Sequence, residues 1–220
     1  VTRLIAYNRN PNIGVVVRAN DKIAILPTEC PPSFAEAVAK TLGVEVTRTN
    51  VCGTSLAGTM IAMNNSGLVL PANVFDDEVK GLKSLDLNLG ILEDKLTALG
   101  NLILLNDHGA IATPGFSKKS LKTMEDVLDC EVAEGRIAGF RTVGSIGIAT
   151  NKGALIHPLS SEDELEWVGG ILKVPVDVGT VNRGTGFVRT GIIANTKDVL
   201  IGNRTTGPEI TRIEDSLGLL

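Results

Sequence analysis

Short apolar runs that end at a proline recur along the chain: IAILP to Pro27, GLVLP to Pro71, GAIATP to Pro114 and GALIHP to Pro158. Their spacings are 44, 43 and 44 residues, and a fifth run, VLIGN, reaches Asn203 after 45 more with its proline lost. Each run follows a cluster rich in Asn, Asp, Lys and Gly, and before that cluster stands another apolar run: GVVVRA, GTMIAM, NLILL, SIGIA and GIIAN. Two apolar runs flanking a turn-forming cluster read as a β-hairpin. Asn, Asp and Gly tolerate the positive φ of tight hairpin turns, so that conformation is predicted at these clusters.

After each hairpin the apolar period changes to that of a helix. The sets are Phe34, Val38, Leu42; Val79, Leu82; Leu121, Met124, Leu128; Leu165, Val168, Leu172; and Ile210, Ile213, Leu217. Each describes one buried stripe. Ser33 with Glu36, Ser161 with Glu164 and Thr206 with Glu209 have the spacing of capping boxes. A third strand follows in four units, as VEVTRT, LNLGIL, CEVAEG and VPVDVG, but the fifth stops at Leu220 without one. Residues 2–7, TRLIAY, have no helix before them and are the expected donor of the missing strand. The predicted fold is α/β: one domain over residues 1–220, five ββαβ units closed as a five-fold pseudosymmetric propeller by the N-terminal strand, helices outside. Closure removes the exposed edges that an open array would leave.

Composition narrows what such a ring does. A chain of 220 residues can bury a core without disulfides or a metal, and with 3% aromatics that core is aliphatic. The 21 basic and 25 acidic residues give a net charge of −4 with no basic half or tail, which argues against broad nucleic-acid binding through phosphates. The uncharged stretch 49–75 is broken by Asn50, Asn64, Asn65 and Pro71 and does not read as a membrane span. No signal peptide is expected, and Cys30, Cys52 and Cys130 lack metal or redox spacing, so a cytosolic location is expected.

Candidate chemistry is sparse. His108 falls in a hairpin turn and His157 at a strand end, without the spacing of a zinc pair. The glycines of 179–186, GTVNRGTG, lack a P-loop lysine and a following helix and read as a junction loop. Lys118, Lys119 and Lys122 read as a solvated helix face. No cofactor and no metal are expected. The five-fold ββαβ pattern is similar to the pentein fold, whose guanidino-modifying hydrolases use a late nucleophilic Cys with a His at the propeller centre. Here no cysteine follows Cys130, which leaves such a hydrolase as the alternative reading and a non-enzyme as the favoured one.

Four segments carry a more specific resemblance: LEDKLTALGNLILLNDHGA at 92–110, TVGSIGIATNKGALIHPLSSEDELE at 142–166, GTVNRGT at 179–185 and TTGPEITRIEDSLGLL at 205–220. Together they resemble the translation initiation factor 6 family of ribosome anti-association factors, in its archaeal form without the eukaryotic tail. The resemblance implies binding to the large ribosomal subunit, a block on premature joining of the small subunit, and a role in late large-subunit maturation. The implied partner is a large-subunit ribosomal protein near the sarcin–ricin loop, with local rRNA contact. Release is implied to involve an elongation factor 2-like GTPase and a Shwachman–Bodian–Diamond protein homologue; membranes and DNA are not implied. Loops at one end of a rigid ring suit docking. The expected ribosome-binding residues are therefore Gly14, Gly58, Thr59, Leu99, Gly100, Asn101, Gly144 and Ser145, with Asn182 and Arg183. Asn101→Asp or Gly100→Arg is expected to weaken docking and leave the melting temperature nearly unchanged.

Overall fold

The computed structural model describes residues 2–220, so residue 1 of the expected domain lies outside the described residues. All five hairpins form. The first strands are Arg18–Ala19, Ala62–Met63, Ile103–Leu105, Gly147–Ala149 and Ile192–Ala194. They pair antiparallel with Ile23–Leu26, Gly67–Pro71, Gly109–Ala112, Ala154–Ile156 and Val199–Gly202. Outer helices follow at Pro32–Leu42, Asp76–Leu82, Lys118–Leu128, Glu162–Leu172 and Gly207–Ser216. Third strands Glu45–Arg48, Asn88–Leu92, Glu131–Glu134 and Val176–Val178 then pair parallel with the second strands.

The fifth sheet is completed from the other end of the chain. Arg3–Ile5 runs parallel to Val199–Gly202, with Arg3 opposite Leu200 and Ile5 opposite Gly202. The result is five three-stranded sheets among the described residues. Their first strands touch one another in cyclic order around a central axis. No unit encloses its own core. The cluster containing Phe34, Val38 and Leu42 of unit 1 includes Ile193 and Leu200 of unit 5. The one around Met124 and Leu128 of unit 3 includes Ala62 and Val69 of unit 2. Each helix stripe thus needs its neighbour, as expected of a repeat that cannot bury its apolar face alone.

Three local expectations are corrected. First, each predicted first strand is shortened because its opening residues coil into one helical turn: Ile13–Val15, Ala57–Met60, Leu99–Leu102, Val143–Ile146 and Val188–Gly191. These inner turns ring the axis, where a coiled segment satisfies its own backbone groups, as when the Ile61 N–H donates to the Ala57 carbonyl. Second, none of the hairpin residues Asn20, Asn64, Asn106 or Asn195 has positive φ; paired positive φ occurs instead between units. The pairs are Asn8 (48°) with Arg9 (67°), Cys52 (56°) with Gly53 (70°), Ala138 (49°) with Gly139 (75°), and Asn182 (53°) with Arg183 (69°). Third, the Ser33–Glu36 box is not made: the helix starts earlier, at Pro32, with Pro31 at its N-cap. Ser161 and Glu164 do form the reciprocal pair, while Glu209 accepts from the N–H and hydroxyl of Thr206.

Second and third strands run the same way and the helix between them runs back. Every hairpin turn and every helix C-terminus therefore lies at one end of the ring. Every inter-unit turn, inner turn and helix N-terminus lies at the other. These are the hairpin end and the junction end.

Candidate functional site

At the junction end the five inner turns stack edge to edge, and glycine is what lets them. A Cβ on Gly58 would collide with the carbonyl oxygen of Gly14; one on Gly100 would meet Gly58, and one on Gly144 would meet Gly100. Gly14 stands in the same relation to Arg189, which occupies the fifth position of the ring. The residues that follow the ring members are Val15, Thr59, Asn101, Ser145 and Thr190. All are half-buried except Ser145, which is buried and donates its hydroxyl to the Thr142 carbonyl at 2.9 Å. The Asn101 amide has no hydrogen-bond partner among the described residues and is open to an external one.

The residues expected to bind a partner thus separate into two kinds. Thr59, Asn101 and Ser145 stand in the inner turns at the junction end, the end that also carries the turn of half-buried Asn182 and exposed Arg183. Gly14, Gly58, Gly100 and Gly144 are buried in the ring, and Leu99 is fully buried beneath it. Gly100→Arg is therefore no surface change: its Cβ would be driven into backbone, and lost stability would mask any effect on docking.

The inter-unit turns are held by glutamates from the outer helices. Glu78 accepts the Cys52 and Gly53 N–H groups at 2.7 and 2.9 Å as well as that of Phe75 at 3.0 Å. Glu164 accepts from Ala138 at 2.7 Å, and Glu209 from Arg183 and Gly184 at 3.2 and 2.8 Å. Burial alone would raise the Glu209 pKa, but donors from Thr206, Gly184 and Thr180 outweigh it and hold it at about 2. Around these turns stand the exposed apolar side chains Leu56 (39%), Phe75 (55%), Leu159 (75%) and Phe187 (37%). Phe187 packs edge-on to Phe140, which leans on His157. The His157 Nδ1 accepts the Leu159 N–H at 3.2 Å, and burial lowers its pKa.

The hairpin end is built differently. Asn64 Oδ1 accepts the N–H groups of Ser66 and Gly67, closing its own turn, while its amide donates to the Asn106 and Leu128 carbonyls. Asn106 repeats this with Thr150 and Leu172, and Asn195 with Asn20 and Leu42. The amides thus satisfy carbonyls that helix C-termini leave unpaired. One residue on, a belt of Asp21, Asn65, Asp107, Asn151 and Thr196 links the turns; Asn65 donates to both Asp21 and Asp107, at 2.8 and 2.6 Å. Burial would raise the Asp21 pKa, yet hydrogen bonds from Thr196 and Asn65 hold it below the ordinary carboxylate range.

From this belt a channel runs along the axis to the inner-turn ring, with a cavity of about 60 Å³. Its wall includes Leu104, Ile148 and Asn106, and two arginines that motif reading missed, Arg18 and Arg189. The signal was present: Arg189 breaks the spacing Gly14, Gly58, Gly100, Gly144. None of its described lining residues is Cys or His. Cys52 lies in a junction turn and Cys130 just before a third strand; burial foremost, then nearby carboxylates, pushes both thiols up to about 11. Cys30 is buried and its thiol is likewise raised, chiefly by burial. None is activated as a nucleophile needs to be. No group of three His, Cys, Asp or Glu side chains among the described residues is placed to hold a metal. No described helix is long and apolar enough to cross a membrane.

The model of the eIF-6 family matches residues 2–216. A protein of Methanocaldococcus jannaschii named translation initiation factor 6 is 43% identical over 217 residues, covering 96% of this chain and 95% of that one. Its namesake in Pyrococcus horikoshii is 38% identical over 220 residues, covering 97% of each chain. That of Saccharolobus islandicus is 40% identical over 210 residues, covering 94% of each. Among solved structures, an adduct of a dimethylarginine dimethylaminohydrolase variant with S-methyl-L-thiocitrulline superposes with a TM-score of 0.51 at 16% identity. It covers 76% of this chain and 68% of that one, a likeness of fold alone: the pentein ring.

Proposed function

The chain belongs to the eIF-6 family, and from that premise we propose that it binds the large ribosomal subunit at the junction end and so keeps the small subunit from joining prematurely. One observation carries the choice of end: Leu56, Phe75, Leu159 and Phe187 are all exposed there, on the end that also carries the half-buried polar residues Thr59 and Asn101. Apolar anchors together with hydrogen-bonding groups, on a rigid scaffold, are what a protein interface needs. Arg183 supplies a cation beside them for local rRNA contact, and the chain's mild acidity suits docking on a basic ribosomal protein near the sarcin–ricin loop.

A role in late large-subunit maturation goes with the same act of occupancy. Release by an elongation factor 2-like GTPase with a Shwachman–Bodian–Diamond homologue, and a cytosolic site of action, complete the reading. Enzymatic guanidine chemistry is disfavoured by the channel itself: two buried guanidinium groups would repel a cationic guanidino substrate, and no thiol lines it.

The test is co-sedimentation with purified large subunits, alongside a subunit-joining assay with the protein in excess. The wild type is expected to pellet with large subunits and reduce joined ribosomes. Asn101→Asp and Phe187→Ser are each expected to weaken binding at least about tenfold, because each strips a contact from a desolvated interface. Asp107→Asn at the opposite end should leave binding unchanged. Joining that proceeds unaltered at stoichiometric protein would refute the function, and equal loss from changes at both ends would refute the assignment of the face.

A further inference from the structure

Two of the breaks in the five-fold pattern are arginines, and both line the same channel. Arg189 replaces the ring glycine of the other units, and Arg18 stands where they carry Ala62, Leu104, Ile148 and Ile193. Both side chains are buried, at 7% exposure each. Arg189 donates to the carbonyls of Gly14, Ile192 and Val17 at 3.1 to 3.3 Å, closing the junction end of the channel. Arg18 donates to the Met63 carbonyl at 3.2 Å, while its buried Nε has no hydrogen-bond partner among the described residues. Neither forms an ion pair among the described residues. The carboxylates at the mouth, Asp21 and Asp107, are engaged by Thr196, Asn65 and Asn151.

Two like charges taken out of water without a counter-charge are costly, and a guanidinium carries five donors in a planar fork suited to oxyanions. Burial lowers the pKa of both groups, and for Arg18 repulsion from Arg189 adds to it. Even so, Arg189 at about 10 stays charged at neutral pH. The cavity of about 60 Å³ compares with the roughly 10–15 Å³ that one water requires, so a single tetrahedral ion fits where several waters would.

We propose that the central channel is an anion site in which one small inorganic oxyanion is held between Arg18 and Arg189. The anion neutralises the arginine pair and ties unit 1 to unit 5, the junction where the two ends of the chain meet. The site takes inorganic rather than nucleotide phosphate, because the inner-turn ring closes one end and the hydrogen-bonded belt narrows the other.

The experiment titrates inorganic phosphate into extensively dialysed full-length protein at constant ionic strength, read by calorimetry and by melting temperature. One saturable site and a saturating rise in melting temperature are expected, with affinity falling at least tenfold in Arg18→Met. That variant removes one carbonyl hydrogen bond and keeps the side-chain length, so it is expected to fold. As a second measurement on the wild type, selenate soaked into crystals should give an anomalous peak in the channel between the two guanidinium groups. No saturable binding, binding unaltered in Arg18→Met, or selenate only on the outer surface would each overturn the site.

Discussion

The two ends of the ring solve the same geometric problem with opposite means. At both, five chain segments converge on one axis, and backbone groups from neighbouring units must meet without voids or orphaned polar atoms. The hairpin end does this with side chains: Asn64 and Asn106 each close their own turn and donate to a neighbour's turn and helix carbonyl. The junction end removes side chains altogether, so that the Gly58 and Gly100 backbones lie against the carbonyls of the unit before. The polar end is therefore consumed by its own bonding, whereas at the glycine end Thr59, Ser145 and Thr190 each spend a hydroxyl on one carbonyl and the Asn101 amide is left without a partner among the described residues. Rigidity comes from both rings, and availability to a partner from one.

The largest effect should follow from restoring a side chain where the ring has none. Gly58→Val would push Cβ and two methyls into the Gly14 and Val17 carbonyls, and overpacking against backbone that cannot retreat costs roughly 3 kcal/mol or more. Denaturant unfolding should show this as a lower midpoint. Gly81→Val, on an exposed helix face with open space around it, should be neutral or stabilise by roughly a few tenths of a kcal/mol, because valine gives up less backbone freedom in a helix than glycine. Comparable losses at both positions would mean that the ring is looser than its contacts imply.

Next comes the polar counterpart. Asn106→Ala orphans the buried Thr150 and Leu172 carbonyls and the N–H groups of His108 and Gly109, with an expected cost of about 2–3 kcal/mol. Hydrogen exchange should quicken in that turn and in the last turn of Glu162–Leu172, but not in the inner turns. Protection lost equally at the junction end would show that the two rings unfold as one.

How far this contrast could be read from sequence depends on which residues carry it. The ββαβ repeat and its closure by residues 2–7 were legible because strand and helix periods and turn residues are local signals. The Asn at four of the five turns, with Thr150 in the fourth, is visible in the sequence but its reason is not. Tolerance of positive φ is the local reading of Asn, whereas the Asn64 amide reaches a helix terminus 64 residues away, a contact that no local pattern encodes. The inner-turn glycines are expected to dock because they stand in the loops at one end of a rigid ring. Glycine there is equally what close packing of neighbouring turns requires, and the sequence does not distinguish that packing from contact with a partner. Arg18 and Arg189 were missed for the complementary reason: a break in a repeat gains meaning only when the fold brings two breaks together.

A smaller effect tests the alternation of the belt. Asn65 separates Asp21 from Asp107 and donates to both, so Asn65→Asp removes two hydrogen bonds and places three carboxylates side by side. At neutral pH this should destabilise by about 1–2 kcal/mol, shrinking as acid protonates one of the three. A destabilisation that stays constant from about pH 7 to pH 4 would mean lost hydrogen bonds alone.

The smallest expected effect lies at the junction end, where a turn is held by charge. Glu209 accepts from Arg183, Gly184, Thr206 and Thr180, and these donors hold its pKa at about 2 against an ordinary 4.5. A carboxylate whose folded pKa is depressed contributes stability that is full above its unfolded value and lost as pH falls toward the folded one. Glu209 is part-exposed, so solvent screening reduces that contribution to about 1 kcal/mol. Glu209→Gln should therefore melt slightly below the wild type at about pH 7, with the gap closing between about pH 4.5 and pH 2. The Asn8–Arg9 turn supplies the internal contrast, since there Tyr7 packs edge-on against Phe34 at 5.2 Å. Phe34→Leu should lower stability by an amount nearly independent of pH over the same range. If the Glu209→Gln gap were just as flat, the turn bearing Asn182 and Arg183 would be fixed by packing, and its carboxylate would be incidental.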